Sequence, residues 1–458
     1  MNTFRVVNPA NGTTLARIPF ESTATVATKY AIARAAQPGW ARVPLSARLG
    51  MIRRFRAALV QEKAALAEIL TSETGKPISQ SQRELDGVLP RIDFFLKQSA
   101  RVLKPEPVLA DRAGGLTEKI THEPLGVVAN ISAWNYPYFV GSNVFIPALL
   151  AGNAVLYKPS EYASLTGREI ARLLHASGVP ADVFGLVYGQ GQVGATLVRQ
   201  PVDGVFFTGS YATGAKIAAL TAGRMLRLQL ELGGKDPIYV CDDAAIGTAA
   251  GIADGAFYNT GQSCCSVERI YVHRKIFQSF VSAFVAEVKK FRVGDPQDPA
   301  TYIGPLARPA QVQVLEAQVR DAQARGAKVL TGGTAIPDRP GYFAPTVLVN
   351  VNHEMAVMQE ESFGPIIGIM AVSDDETAIS LMNDTDYGLT AGVYSPDQAR
   401  AVRILERVRC GSAYWNCCDR VSPALPWSGV GKSGVGVTLS KYGIQAFTRP
   451  KAWHLRRP

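Results

Sequence analysis

From about residue 125 onward the chain alternates short β-branched runs with stretches of helical period. GVVANIS, NAVLYKPS, FGLVYG, GVFFTGS and RLQLELG follow one another with helix-like sequence between them. Strands joined through helices cross over instead of folding back as hairpins, so this order predicts a parallel, doubly wound α/β sheet. A second alternation runs from 236 to about 425, with helical DAAIGTAAGIADGAFYN and FQSFVSAFVAEVKKF set among strand-like RIYVH, TVLVN and GPIIGIMAV. Two lobes suit a chain of 458 residues, since single hydrophobic cores stop growing at roughly 250–300.

Residues 44 to 103 precede these lobes and read as helical scaffold. MIRRFRAALVQEKAALAEILTSETG carries apolar residues at three-to-four spacing and stops at Gly75 and Pro77. The segment PEPVLADRAGGLTEKITHEPLG then sets two extended runs around an Ala-Gly-Gly turn, the pattern of a projecting hairpin suited to pairing with another subunit.

Composition narrows the function classes. No stretch approaches the ~20 continuous apolar residues of a membrane span, and MNTFRVVNPANG lacks the layout of a signal peptide. The six cysteines include two adjacent pairs, Cys264-Cys265 and Cys417-Cys418, which is not a disulfide framework and suits a reducing cytoplasm. The net charge of +10 is dispersed, so no nucleic-acid partner is expected, nor a membrane partner or a metal site.

Five stretches carry residues suited to chemistry. VFFTGSYATGAKIAALTA is a strand, a turn with Gly209 and Gly214, and a helix whose N-terminus suits a pyrophosphate, although a glycine turn also opens helices for structural reasons alone. YKPSE ends a strand at Lys158 with Glu161 three residues on, either ribose-hydroxyl partners or a surface lysine and a helix cap. In NTGQSCCSVERI a thiolate is a soft nucleophile for a carbonyl, while paired cysteines are equally at home in a core. LQLELGGKDP delivers Glu231 to the end of an apolar strand, where a carboxylate is costly unless solvated or used as a base. ISAWNYPYF follows a strand with Asn135, whose amide is able to donate to an oxyanion.

Taken in this order, and continued by ESFGPIIGI, NDTDYGLTAGVYS, AYWNC and PWSGVGKSGVG, the stretches resemble the aldehyde dehydrogenase superfamily along essentially the whole chain. The resemblance implies a Rossmann-like cofactor domain from residues 1–104 and 124–232, and an α/β catalytic domain from 233–425. A small β oligomerisation domain would come from 105–123 and 426–458, with homodimers or homotetramers the usual assemblies. It implies Cys264 as nucleophile, Cys265 as its neighbour, Glu231 as general base, and Asn135 with the Cys264 N–H as oxyanion hole. For NAD, with NADP possible, it implies ribose contacts from Lys158 and Glu161 and a pyrophosphate contact from Ser210 beside Gly209 and Gly214. Glu361 and Phe363 would position the nicotinamide end, with Ser132, Trp134, Ser160 and Leu232 along the same site.

The implied reaction oxidises a small aldehyde to a carboxylic acid through a thioester on Cys264. Rivals are a relative that passes the thioester to coenzyme A, which typically lacks the base of ELGG, and a non-catalytic protein of this fold. Trp134, Tyr136, Tyr414, Trp415 and Trp427 fall in segments that border the substrate passage in the resemblance and favour apolar or aromatic aldehydes. Arg420, its charge offset by Asp419, offers a semialdehyde alternative of the succinate semialdehyde kind. Two departures stand out. Asn143 and Val144 occupy a site where many relatives carry Trp-Lys. PWSGVGKSGVGVTLSKYG also lacks the glutamate and one glycine of the usual P-x-GG-x-K-x-SG-x-G-x-E-x-G.

Overall fold

The computed structural model describes residues 3–111 and 115–457. A six-stranded sheet runs in the order Gly434–Val435, Arg227–Glu231, Gly204–Thr208, Val127–Ile131, Ala154–Lys158, Phe184–Leu186. All its neighbours pair in parallel except Gly434–Val435, which is antiparallel to Arg227–Glu231. Every residue of Val127–Ile131 and Ala154–Lys158 is buried, as a sheet covered on both faces requires, and this is why those runs read as apolar on both faces apart from Asn130 and Lys158. The chain leaves Val127–Ile131 for Ala154–Lys158 and Phe184–Leu186, then returns to lay Gly204–Thr208 on the other side. That reversal opens a crevice at the carboxyl ends of the strands, the place where open α/β sheets bind ligands.

A seven-stranded sheet forms the second lobe, in the order Lys328–Thr331, Thr346–Val349, Ile366–Val372, Arg269–His273, Pro237–Val240, Thr390–Tyr394, Ser412–Trp415. It is parallel apart from its first pair. A third sheet joins the hairpin strands Glu106–Asp111 and Leu116–Pro124 to the C-terminal strand Thr448–Arg456, all antiparallel. Of the Ala-Gly-Gly turn, residues 113 and 114 lie outside the described residues. The stretch 426–458, grouped above with the hairpin, supplies strands to two sheets, because Gly434–Val435 joins the six-stranded one. Among the described residues no helix is long and apolar enough to cross a membrane.

The helical scaffold consists of Leu45–Gln61, Lys63–Thr74 and Ile78–Val102. Gly75 ends the second of these at φ +77, a conformation that favours glycine, and a Cβ there would lie 2.6 Å from Pro305 Cγ. Helix Ile78–Val102 packs Leu85, Val88, Ile92 and Phe95 into the core that also takes Val144 and Phe145 of helix Pro137–Ala151. Glu84 and Arg91 fall on that same helical face and are 2 % and 7 % exposed. The apolar period does not announce two N-terminal elements, the ribbon of Thr3–Val7 with Thr14–Pro19 and helix Thr23–Arg42, which runs through Pro38.

Candidate active site

Cys264 lies beyond helix Thr248–Phe257, after Asn259, Thr260 and Gly261, which follow one another at φ 53, 59 and 71. Left-handed conformations at non-glycine residues cost of order 1–3 kcal/mol each and persist only where the surroundings over-determine them. Here the Asn259 N–H donates to Gln80 Oε1 at 2.8 Å and its Nδ2 to the carbonyls of Gln262 and Asn135 at 3.0 and 3.3 Å. Thr260 exchanges hydrogen bonds with Gly304, and a Cβ on Gly261 would sit 2.2 Å from Gly364 O. The cysteine is thereby presented on a fixed turn. It is partly buried at the edge of the main core, while Cys265 behind it is buried.

The two thiols face different surroundings. Cys265 Sγ donates to Asp419 Oδ1 at 3.0 Å, and its hydrogen bond with Cys264, burial and Asp419 hold its pKa well above the usual thiol value. Asp419, raised to about 7 by burial, is engaged with Cys265 and Ser263 and forms no ion pair with Arg420 among the described residues. Arg420 is exposed.

Asn135 is 4 % exposed and its Nδ2 donates to Gln262 O at 3.2 Å, two residues before Cys264. Its own carbonyl accepts from Lys76 Nζ at 2.6 Å, and Lys76 pairs with Glu84, which in turn accepts from the Tyr138 N–H at 2.9 Å. Burial presses Lys76 and Glu84 toward neutrality, and each partner's charge opposes it. This buried pair fixes the start of helix Pro137–Ala151 and hence the asparagine.

Glu231 closes strand Arg227–Glu231 and is buried, which raises its pKa to about 7. Thr438 Oγ1 donates to Glu231 Oε1, as does Gln229 Nε2 at 2.9 Å, and both bonds together with the charge of Arg91 lower the pKa. Thr438 arrives on the segment that follows Gly434–Val435. Counting SGxGxE from Ser433 puts it at the position of the missing glutamate. Gly234, three residues past Glu231, approaches the cysteine loop so closely that a Cβ would lie 3.0 Å from Cys264 O.

The expected cofactor residues gather at the strand ends. Lys158 is 3 % exposed and donates to Pro159 O at 3.2 Å, its single acceptor among the described residues, although an ammonium has three donors. Burial lowers its pKa, with Glu161 opposing. Ser160 caps the turn Glu161–Ala163 by accepting from the Tyr162 N–H at 3.3 Å, and the Ser132 N–H ties the neighbouring strand end to Lys158 O at 3.0 Å. Gly209 and Ser210 lead into helix Tyr211–Thr221, whose N-cap Ser210 makes no side-chain capping bond; the Thr213 N–H donates to Ser210 O at 3.1 Å, and among the described residues the Tyr211 and Ala212 N–H groups stay free for an anion. Gly214 packs on Leu232, where a Cβ would come within 2.6 Å. Buried unfilled lysine donors and an uncapped helix start fit the hydroxyls and phosphates of a dinucleotide.

Glu361 and Phe363 come from the second lobe. Glu361 Oε1 accepts from the Gly234 N–H at 3.1 Å across Gly233, whose missing side chain leaves it room, and burial beside Glu268 raises its pKa to about 8. Phe363, at φ 49, meets the Trp134 ring edge-on with centroids 5.7 Å apart. The Ser362 and Phe363 N–H groups donate to Glu268, itself paired with Lys235 at 2.7 Å.

The aromatic side chains singled out from the sequence divide among several places. Trp134 faces Phe363 and Tyr162, Trp427 is buried in the core, Trp415 is exposed with Nε1 donating to Ser395 O, and Tyr414 donates to the Arg420 carbonyl. Tyr136 stacks on Phe139 at 5.6 Å. Lys76, Glu84, Arg91, Gln229, Thr438, Lys235 and Glu268 also meet at the site, and no local motif marks them. For Glu84 and Arg91 the available signal was charge on a helical face otherwise apolar.

The aldehyde dehydrogenase family model matches residues 1–453. A protein of Mycobacterium tuberculosis (strain ATCC 25618 / H37Rv) with the name "Putative succinate-semialdehyde dehydrogenase [NADP(+)] 2" is 36% identical over 447 residues, covering 95% of this chain and 85% of that protein. Lactaldehyde dehydrogenase from Escherichia coli superposes with a TM-score of 0.96 at 32% identity, covering 100% of this chain and 96% of that one. PnpE in complex with nicotinamide adenine dinucleotide gives 0.95 at 32% identity, covering 99% and 94%. The chain belongs to the aldehyde dehydrogenase family. It is an NAD(P)-dependent oxidoreductase that converts an aldehyde to a carboxylic acid.

Proposed function

We propose that Cys264 is the nucleophile, Asn135 the oxyanion donor and Glu231 the hydrolytic base of this oxidation. One observation carries the reading. Glu231 is a buried carboxylate with a pKa near 7, on a strand end whose following glycine touches the Cys264 backbone. Such a value lets one group release and take a proton at neutral pH.

The Cys264 sulfur forms a bond to the aldehyde carbon as the carbonyl π pair moves to oxygen. Asn135 Nδ2 and the Cys264 N–H donate to that oxygen. NAD(P), when bound, supplies the hydride acceptor; Lys158, Glu161 and Ser210 would hold it, with Glu361 and Phe363 at its reactive end. As the oxyanion re-forms its C=O bond, the C–H bond breaks and its electron pair leaves with hydrogen as hydride for that acceptor, which leaves a thioester on Cys264. Glu231 takes a proton from water as the water oxygen attacks the thioester carbon, and the C–S bond then breaks to return the thiolate and release the acid. Hydrolysis by a retained base is favoured over transfer to coenzyme A. NADH formation with an aldehyde panel, with and without coenzyme A, tests this. A rate independent of coenzyme A, abolished by Cys264→Ala and largely kept by Cys265→Ala, supports the assignment. Comparable losses from both variants would sink it.

The edge strand Glu106–Asp111 exposes Val108 (59 %) and Leu109 (42 %), which supports the expected pairing into a homodimer or homotetramer. A semialdehyde substrate is favoured by the name of the mycobacterial relative.

A further inference from the structure

Arg91 projects from helix Ile78–Val102 into the interior and is 7 % exposed. Its Nη1 donates to Asn143 Oδ1 at 3.3 Å, and its guanidinium lies 4.1 Å from the centroid of the Phe139 ring. Gly87, one turn earlier, makes room for that ring, since a Cβ there would sit 2.8 Å from Phe139 Cζ. Among the described residues no carboxylate lies within ion-pairing distance of Arg91, whereas the neighbouring buried carboxylate Glu84 is taken by Lys76. A guanidinium has five N–H donors, so most of this one's capacity is unused.

A buried cation without a counter-ion is costly unless something else supplies the charge. Desolvation lowers the pKa of Arg91 only to about 10, so it stays charged at neutral pH. The groups that feel this charge are Cys265, Glu84, Glu231 and Cys264. Phe139 stacks in turn on Tyr136 at 5.6 Å, the neighbour of Asn135, so the unused donors lie on the Asn135 side of the proposed site, with Val144, where many relatives carry a lysine, contributing no charge.

Resting on the reading of Cys264 and Glu231 as the reacting pair, we propose that Arg91 holds the far-end carboxylate of the aldehyde substrate, which makes a short semialdehyde the substrate class. Planar, bidentate recognition of carboxylate is what the guanidinium fork does best, and Asn143 and Phe139 fix the fork's plane. Exposed Arg420 plays no part in it.

The test compares kcat/KM for succinate semialdehyde and for pentanal, which lacks the carboxylate. The wild type prefers the semialdehyde by more than about tenfold. In Arg91→Met the ratio of the two kcat/KM values falls to about one through a rise in KM for the semialdehyde, the loss of the charge that lowers the Glu231 pKa slowing both substrates alike, and Arg91→Lys keeps part of the preference. Arg420→Ala changes neither substrate. A preference that survives in Arg91→Met, or an equal fall for both substrates, overturns the proposal. A wild type that oxidises pentanal and semialdehyde equally well refutes the proposal while leaving the reading of Cys264 and Glu231 intact. Binding of succinate semialdehyde to Cys264→Ala, followed by calorimetry and lost in Cys264→Ala/Arg91→Met, decides the question independently of turnover.

Discussion

The Thr438 hydroxyl donates a hydrogen bond to the Glu231 carboxylate. Gly434–Val435 pairs with the last residues of the Glu231 strand, and the chain then turns Thr438 onto the carboxylate where the family pattern carries a glutamate. Two facing carboxylates would raise one another's pKa, whereas a neutral donor stabilises the ionised form. With valine at 144, this segment meets the proposed base with a hydroxyl and a more distant arginine instead of a second titrating pair.

Thr438→Val should therefore move Glu231 upward from about 7. As a base Glu231 must be ionised, so kcat rises with pH through its pKa, and the variant should be slow at pH 7 and recover toward pH 9. The kcat–pH profile measures it. An unmoved limb would mean that the rate does not depend on this carboxylate.

The Lys76–Glu84 pair is buried and joined to the Asn135 carbonyl. Removing one partner strands the other, at a typical cost of about 3–5 kcal/mol. Glu84→Gln should lower the denaturant midpoint accordingly and reduce kcat through the misplaced asparagine. Full stability and activity in this variant would show that the helix start is held by packing alone.

Glu161 stands three residues beyond Lys158 at the strand end. A carboxylate accepts from a ribose 2'-hydroxyl and repels a 2'-phosphate, so kcat/KM should favour NAD, and Glu161→Gln should narrow the gap with NADP. The mycobacterial relative carries NADP(+) in its name, which sharpens the comparison. A wild type faster with NADP would displace Glu161 from the ribose.

Much of this arrangement was legible in the chain because sheets covered on both faces leave unbroken apolar runs and glycines mark the close approaches. Strands such as Val127–Ile131 and Ala154–Lys158 fall where their β-branched runs stand. Gly209, Glu231 and Cys264 stand at the ends of strands or on turns, where local pattern announces them. Arg91 and Glu84 were hidden because a helical period reports which face is buried and not what a charge on that face meets there. Thr438 was hidden for another reason. It reaches Glu231 across 207 residues of sequence, and nothing local to VGVTLS encodes that contact.

The central claim is that Glu231 activates water for a thioester formed on Cys264, and rapid mixing of Glu231→Gln with cofactor and aldehyde tests it most directly. Losing a general base typically costs about 100- to 10,000-fold. The account predicts a burst of about one NADH per site at near wild-type rate, followed by turnover slowed to that extent, with an acyl group trapped on Cys264 in the mass spectrum. Steady-state turnover equal to wild type, with no burst and no acylated cysteine, would contradict it.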